Sequence, residues 1–220
     1  MSTNLALILS VSLKIAFLSS ILVMITAFGL ALWLYKSRSL SAKIIELIIY
    51  IPMAMPPVAL GYGLLILFGP HSIIGIYLKN LNIQIAFSFL GAVLASYIVS
   101  LGIGLRAMRL ALENIDEHHV HSAELLGANK LQIFWHIILP LCKRSLLGGF
   151  ILVFLRSIGE FGATIILAGN ALGSTRTLAL AIWTEMQTPG QEYMTLLLVI
   201  IAALLSLGAL LVSEIMLRKK

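Results

Sequence analysis

Long apolar segments alternate with shorter polar segments along the whole chain. A helix needs about 20 predominantly apolar residues to cross a bilayer, and five segments reach this length. They cover residues 15–35, 44–68, 83–105, 145–168 and 194–217. The first belongs to an apolar stretch over 5–35 that Lys14 interrupts, so the residues before the span are predicted to form an interfacial lead-in. The pattern predicts an all-α membrane protein with five transmembrane helices in a single unit, residues 1–220.

The basic residues predict the orientation of these helices. Eleven lysines and arginines lie between spans one and two, between spans three and four, and after span five. The two opposite connections, 69–82 and 169–193, hold only Lys79 and Arg176. Cytoplasmic loops of membrane proteins carry the excess of basic residues. We therefore expect the basic loops and the C-terminus in the cytoplasm and the N-terminus outside.

Composition narrows the class of protein. Hydrophobic residues make up 60% of the 220 positions and charged residues 11%, whereas soluble domains carry about 25% charged residues. The net charge is +6, but the basic residues are distributed as expected for loops on one side of a membrane. Nucleic acid is therefore not an expected partner. A single cysteine, Cys142, excludes an internal disulfide. The sequence has no Gly-x-x-x-x-Gly-Lys-Ser/Thr motif, so we do not expect the chain to be an ATP-hydrolysing enzyme.

The segment 106–144 is too polar to span the bilayer and too long for a tight turn. Asn114 or Asp116 can cap a short helix that runs through Leu126, because their side chains accept hydrogen bonds from free N–H groups. Gly127 then supplies the left-handed residue that ends this helix.

A second short helix is predicted from near Lys130 toward Pro140. The resulting helix–turn–helix exposes an apolar ridge. The ridge residues are Val120, Ala123, Leu125, Leu126, Ile133 and Phe134. A ridge of this kind can lie in a groove of another protein. The alternative is an amphipathic helix lying on the membrane surface.

Seven positions of this segment form a spaced pattern. They are His121, Ser122, Ala123, Gly127, Ile137, Leu139 and Pro140. The pattern resembles the cytoplasmic coupling loop by which the membrane subunits of ABC importers contact their ATPase subunits. In that family the loop is Glu-Ala-Ala, three residues, Gly, nine residues and Ile-x-Leu-Pro. His121 and Ser122 replace the family's Glu and first Ala. A charge contact made by that Glu is therefore missing here, or Glu117 or Glu124 supplies it.

Further segments resemble those of molybdate importer permeases. Residues 51–62 are similar to a segment with Pro-Pro-Val-x-x-Gly-Tyr, and residues 156–164 to Arg-Ser-Leu-Gly-Glu-Phe-Gly-Ala-Thr. Thr-Arg-Thr-Leu at 175–178 and Gln-Thr-Pro-Gly at 187–190 recur at the matching later positions. The resemblance implies the type I ABC importer permease fold and the uptake of molybdate, with tungstate and sulfate as alternatives.

The resemblance also implies a set of partners. Two ATP-binding subunits would carry ATP and Mg, and a second copy of the permease would complete a homodimer. An extracytoplasmic oxyanion-binding protein would deliver the substrate to the complex in a bacterial inner membrane. No cofactor and no metal are expected in this chain itself.

Five positions are assigned to the translocation path or its gate. They are Pro56, Pro57, Arg156, Glu160 and Thr164. Arg156 and Glu160 stand four apart in the fourth span, so they are predicted to share a helix face. Charged side chains at membrane depth usually face a bundle interior or a water-filled path; a structural ion pair is the alternative.

The prolines of the second span predict a bend. Proline removes a backbone N–H donor and interrupts a helix, so this span is predicted to be kinked or locally unwound. The bend would be either a flexible element that lines a cavity or a static kink.

Two other protein classes fit the sequence less well than an importer subunit does. A secondary transporter or channel usually has inverted repeats and ion sites at the membrane midplane, and the sequence displays neither. A membrane-embedded enzyme needs a nucleophile–base pair or a metal cluster, and Glu160 alone makes neither. His118, His119 and His121 suggest a metal site, but a solvated polar turn explains them better because no accompanying carboxylate or cysteine geometry is evident.

Overall fold

The computed structural model describes residues 4–37 and 39–218, so Arg38, Lys219 and Lys220 lie outside the described residues. The described residues form eleven α-helices and one π-helical turn. In chain order the elements are α1 Leu5–Lys36, α2 Leu40–Ala54, α3 Pro57–Phe68, α4 Ile73–Asn80, α5 Phe89–Glu113, α6 Glu117–Leu125, α7 Lys130–Ile133, the π-helical turn Phe134–Ile138, α8 Leu139–Ile158, α9 Gly162–Leu167, α10 Leu178–Met186 and α11 Glu192–Arg218.

Helices α1, α5 and α8 pack against one another at the centre of the bundle. Lipid tails are as apolar as leucine, so helix association in a membrane depends on close packing and on hydrogen bonds between helices. The Ser157 hydroxyl of α8 lies 3.1 Å from the hydroxyl of Ser19 in α1 and 3.3 Å from that of Ser100 in α5. A Cβ at Gly104 would come within 2.4 Å of Val23 Cγ1, so glycine allows α1 and α5 to approach this closely.

The first predicted span is longer than expected. Helix α1 begins at Leu5, so the expectation of an interfacial lead-in before residue 15 is wrong. Its first turns pack inside the protein: Ile8 is fully buried, and the Ser12 hydroxyl accepts a hydrogen bond of 2.7 Å from the N–H of Leu178 in α10. The exposed Lys14 does not interrupt the helix because its side chain projects away from this contact.

The second predicted span is broken. Helices α2 and α3 meet at a bend of 116°, with Met55 and Pro56 extended between them. Pro56 and Pro57 lack N–H donors, and a residue that precedes proline disfavours the helical conformation. The predicted interruption of the second span is therefore confirmed.

The third and fourth predicted spans also have different limits. Helix α5 starts at Phe89 instead of 83, because the Ser88 side chain caps it by accepting from the Gly91 N–H at 3.2 Å. Helix α8 begins before residue 145 and ends at Ile158, and a separate short helix, α9, follows. One continuous helix over 145–168 is therefore wrong.

Four helices in the described part of the chain are long and apolar enough to cross a membrane. Three of them are α1, α5 and α11, and the fourth runs without a break over Lys130–Ile158. The bent pair α2–α3 is a fifth span if both helices are taken as one crossing. Two short helices, α4 and α10, lie in the segments that connect the spans.

Replacing Gly61 by Ala should destabilise the fold, whereas the same change at Gly63 should not. A Cβ at Gly61 would lie 2.8 Å from both the Cα and the carbonyl oxygen of Ala163, so α3 and α9 would have to separate. Overpacking of this kind costs about 1–3 kcal/mol. A Cβ at Gly63 meets nothing within 4 Å, and alanine there favours the helix by about 1 kcal/mol.

Thermal unfolding of the detergent-solubilised protein measures this difference. A lower midpoint for Gly61→Ala than for Gly63→Ala is the expected result. Equal midpoints would contradict the close contact between α3 and α9.

Candidate functional site

The segment 106–144 contains a short helix with defined ends. Asp116 caps α6, because its Oδ1 accepts a hydrogen bond of 2.9 Å from the His118 N–H. Gly127 ends the helix in the left-handed conformation, with φ +83. The Gly127 N–H donates to the Glu124 carbonyl and the Ala128 N–H to the Ala123 carbonyl, each at 3.0 Å. These two bonds form the Schellman arrangement. The predicted cap, helix and stop are confirmed.

The second helix begins at a capping box. The Asn129 side chain accepts from the Gln132 N–H at 2.9 Å, and the Gln132 side chain accepts from the Asn129 N–H at 2.8 Å. Beyond α7 the chain does not stop at Pro140 but continues through the π-helical turn into α8. In this turn the Leu139 N–H donates to the carbonyl of Phe134, five residues back.

The π-helical turn explains how Pro140 is accommodated. Proline has no N–H and its ring collides with the carbonyl four residues back in a regular helix. A π-helical turn widens the backbone locally, so the helix passes the proline unbroken. Ile137, Leu139 and Pro140 thus lie at the joint between the short helices and α8.

The predicted apolar ridge is only partly exposed. Leu125 and Leu126 are 79% and 88% exposed and stand immediately before Gly127. Ile133, in contrast, is buried, and Phe134 packs its ring 6.0 Å from that of Phe28 in α1. The expectation that these two residues belong to an exposed ridge is wrong, because the start of the second helix packs on the bundle.

Two exposed residues of the second helix were missed by the sequence analysis. Leu131 and Trp135 are 67% and 56% exposed. They stand four positions apart, so helical periodicity is the signal that would have found them. With Leu125 and Leu126 they are the exposed large apolar residues between the start of α6 and the end of the π-helical turn.

The polar face of α6 carries the histidines. His118, His119 and His121 are exposed, and His121 Nδ1 lies 3.7 Å from Glu124 Oε2. Both side chains are more than half exposed, and surface pairs of this kind contribute about 0–1 kcal/mol. Among the described residues no group of three or more His, Cys, Asp or Glu side chains can hold a metal ion.

A cavity of about 770 Å³ separates α6 from the membrane helices. Residues from α1, α5, α6 and α7 line it, among them Tyr35, Leu112, Val120, His121 and Lys130. The hydrogen bonds at the two ends of α6, from the Asp116 cap and the turn at Gly127, lie within the segment itself. Leu125 and Leu126 do not line this cavity.

A second site lies where α8 ends. Arg156 Nη1 forms an ion pair of 2.7 Å with Glu160 Oε2. The other carboxylate oxygen, Oε1, accepts a hydrogen bond of 2.9 Å from the N–H of Ala163. Arg156 and Glu160 were predicted to share one face of a helix. This prediction is wrong, because α8 ends between them at Ile158. Glu160 instead joins the end of α8 to the start of α9.

The break between α8 and α9 faces the break between α2 and α3. A Cβ at Gly162 would lie 2.9 Å from Pro57 Cβ and 3.0 Å from the N of Val58. The structure therefore brings Pro57, Arg156 and Glu160 into one region. Gly61 and Gly162 permit this contact because they have no side chain, as expected for glycines that allow close helix packing.

The remaining predicted path residues differ in exposure. Pro56 is exposed beside this region. Thr164 is buried in α9, and its hydroxyl has no hydrogen-bond partner among the described residues. Glu160 is 2% exposed, whereas the Arg156 side chain is 31% exposed. Of the charged pair, only the Arg156 side chain is partly exposed.

Comparison with known proteins identifies relatives over most of the chain. Residues 23–219 match the family described as binding-protein-dependent transport system inner membrane component. The chain is 42% identical over 184 residues to the molybdenum transport system permease protein ModB of Haemophilus influenzae, which covers 83% of this chain and 80% of the relative. It is 40% identical to ModB of Escherichia coli K12 over the same shares. Identity to ModB of Mycobacterium tuberculosis is 38% over 209 residues, or 94% of this chain and 78% of the relative.

Solved structures share the fold at low identity. A chain from a bacterial alginate ABC transporter, in complex with an alginate pentasaccharide-bound periplasmic protein, has a TM-score of 0.80 at 16% identity, covering 100% of this chain and 80% of that chain. A chain from the MetNI methionine ABC transporter in an inward-facing conformation has a TM-score of 0.70 at 17% identity, with 99% and 100% covered. The type I ABC importer permease fold predicted from the sequence is confirmed.

Replacing Glu160 by Ala should destabilise the protein much more than replacing it by Gln. Alanine leaves Arg156 without its carboxylate and the Ala163 N–H without its acceptor, and breaking a buried ion pair costs about 3–5 kcal/mol. Arg156 is about a third exposed, so the loss should fall at or below the lower end of this range. Glutamine keeps a carbonyl oxygen for the Ala163 N–H.

Thermal unfolding of the two variants compares these effects. We expect the highest unfolding midpoint for the wild type, a lower one for Glu160→Gln and the lowest for Glu160→Ala. If Glu160→Ala unfolds at the wild-type temperature, Glu160 does not join α8 to α9.

Proposed function

This chain belongs to the family of binding-protein-dependent transport system inner membrane components, and we propose that it is the permease subunit of an ATP-driven ABC importer of molybdate. Its similarity to molybdenum transport permeases extends over most of the chain. This similarity is the observation that carries the proposal. A family that works with binding proteins also disfavours the secondary-transporter alternative.

We assign the segment 106–144 to the docking of an ATPase subunit. Leu125 and Leu126 are strongly exposed at the end of α6, and two large apolar side chains in water are stabilised when they enter a groove of a partner. Gly127 turns the chain sharply behind them. His121, Ser122 and Ala123 would lie along the contact, and Ile137, Leu139 and Pro140 would pass its movement to α8.

The distribution of basic residues supports an inner-membrane location with this segment and the C-terminus in the cytoplasm. The N-terminus would then lie outside. Two ATPase subunits would bind ATP and Mg below the membrane, and no cofactor would reside in this chain. An extracytoplasmic binding protein would deliver the oxyanion from the other side.

The two adjoining breaks support a translocation path formed by two copies of this chain. Irregular backbone at membrane depth is tolerated only where protein or a water-filled space covers it. Met55 and Pro56 have such backbone between α2 and α3, and both are exposed, so we expect protein or water rather than lipid beside this bend. A second copy across a two-fold axis would cover this surface and enclose the path. Pro57, Arg156, Glu160 and Thr164 would then line or support it.

Reconstitution tests the function and the substrate together. The chain is co-expressed with its ATPase subunit, placed in proteoliposomes and given binding protein loaded with molybdate, tungstate or sulfate in turn. Stimulation of ATP hydrolysis by the molybdate-loaded form, with uptake of molybdate, is the expected result. Stimulation by the sulfate-loaded form alone would contradict molybdate as the substrate. Failure to co-purify with an ATPase would contradict the assignment as an importer permease.

Replacing Gly127 by Pro should detach the ATPase, whereas replacing it by Asn should not. Proline removes the N–H that bonds to Glu124 and cannot adopt φ +83, so the turn behind Leu126 is lost. Asparagine tolerates the left-handed conformation, and nothing lies within 4 Å of the position.

Co-purification of the ATPase with each membrane-inserted variant measures the effect. We expect at least about a tenfold loss for the proline variant, which corresponds to roughly 1.4 kcal/mol of binding free energy. Wild-type transport by Gly127→Pro would mean that this turn does not carry the docking contact.

A further inference from the structure

Arg156 lies near the middle of the bilayer in the orientation proposed above. It follows Arg144 by twelve residues of the same helix, which is about 18 Å along an α-helix. The hydrocarbon core is about 30 Å thick. A guanidinium at this depth is costly in lipid and is normally found facing protein or water.

The exposure of the ion pair is one-sided. The Arg156 side chain is 31% exposed, whereas Glu160 is 2% exposed and lies behind it. One guanidinium nitrogen, Nη1, is engaged by the carboxylate. A guanidinium has five N–H donors in a planar fork, so donors remain that the Glu160 carboxylate does not occupy. Among the described residues, Glu160 is the one hydrogen-bonding or ionic partner of Arg156, and the Arg156 side chain is partly exposed.

The carboxylate itself is held in place. Glu160 Oε1 accepts from the Ala163 N–H, and Gly162 packs against Pro57. Glu160 therefore cannot turn away when another anion approaches Arg156. The pair is electrically neutral as a unit, but it presents its positive end outward.

From this geometry we propose that Arg156 is a transient binding station for the transported oxyanion, and that Glu160 keeps its affinity low enough for release. The inference rests on the proposed function, since it requires a path along this face. Its ligand is a tetrahedral oxyanion of charge −2, and two copies of the chain would offer one guanidinium each. The oxyanion accepts hydrogen bonds from the free guanidinium donors, which are well suited to such oxygens.

The role of Glu160 follows from what conduction requires. A station on a path must bind well enough for entry and weakly enough for exit. An uncompensated arginine in a site with little water would retain a divalent anion. The fixed carboxylate offsets that attraction, and it remains as the partner of Arg156 after the anion has left.

Single replacement of Arg156 is a poor test, because it leaves Glu160 buried without a partner. The informative variants are Glu160→Gln, which keeps the acceptor for Ala163, and the double variant Arg156→Gln/Glu160→Gln, which removes both charges. Glu46→Gln is the matched control, since Glu46 forms the ion pair with Arg109 that joins α2 to α5. It makes the same chemical change in an interhelical ion pair away from the α8–α9 break.

The experiment uses the permease–ATPase complex in nanodiscs and proteoliposomes. Binding of radiolabelled molybdate is measured without nucleotide or binding protein, and uptake is measured with both. Glu160→Gln should bind molybdate about tenfold more tightly than wild type, because it removes a negative charge near the bound anion. It should also transport molybdate more slowly, because release is slower. The double variant should assemble with the ATPase, bind molybdate more weakly than wild type and more than about tenfold more weakly than Glu160→Gln, and lose most uptake.

Other outcomes separate this inference from the proposed function. Unchanged molybdate affinity in Glu160→Gln, or wild-type uptake by the double variant, would contradict a binding role for Arg156. Neither result would contradict the proposed importer function. Equal effects of Glu46→Gln and Glu160→Gln on affinity would also overturn it. If wild-type complex is not stimulated by any loaded binding protein, the proposed function itself fails.

Discussion

Backbone N–H and carbonyl groups find no water inside a bilayer, so every interruption of a helix there must be satisfied by protein or open to a water-filled space. This chain interrupts two of its membrane segments, between α2 and α3 and between α8 and α9. At the first break, Pro56 and Pro57 have no N–H to leave unpaired. At the second, the Glu160 carboxylate accepts from the Ala163 N–H. Both breaks thereby lower the number of unsatisfied donors at membrane depth.

The absence of water inside the bilayer also affects how the helices pack. The hydrophobic effect does little to hold apolar helices together in lipid, so small residues and hydroxyl groups decide where helices meet. Gly61 and Gly162 let the two breaks adjoin, and the serine contacts around Ser157 tie α8 to α1 and α5 just before the second break. The region around Arg156 is therefore supported by the core, although the Arg156 side chain is partly exposed.

The constraint is different for the connecting segment 106–144. This segment is polar, and hydrogen bonds within it satisfy the backbone groups at its helix ends. Asp116, the turn at Gly127 and the capping box at Asn129 provide partners without help from the bundle. A cavity separates α6 from the membrane helices. A short helix with complete caps can keep its shape while projecting Leu125 and Leu126 toward a partner. The continuous helix over Lys130–Ile158 provides a stiff connection from this segment to the end of α8.

The sequence by itself determined the features that depend on nearby residues. Apolar length predicted a multi-span helical protein, the prolines predicted the bend in the second span, and Asp116 and Gly127 marked the limits of α6. The spacing of the loop and the resemblance over the chain predicted the family. Only the tertiary structure decided where the fourth segment breaks, why Ile133 is buried, and that Glu160 bonds to Ala163 rather than sharing a helix face with Arg156. These features depend on contacts between residues far apart in the chain, such as Pro57 with Gly162. Apolar length and periodicity describe one segment at a time, so they carry no information about which segments pack together.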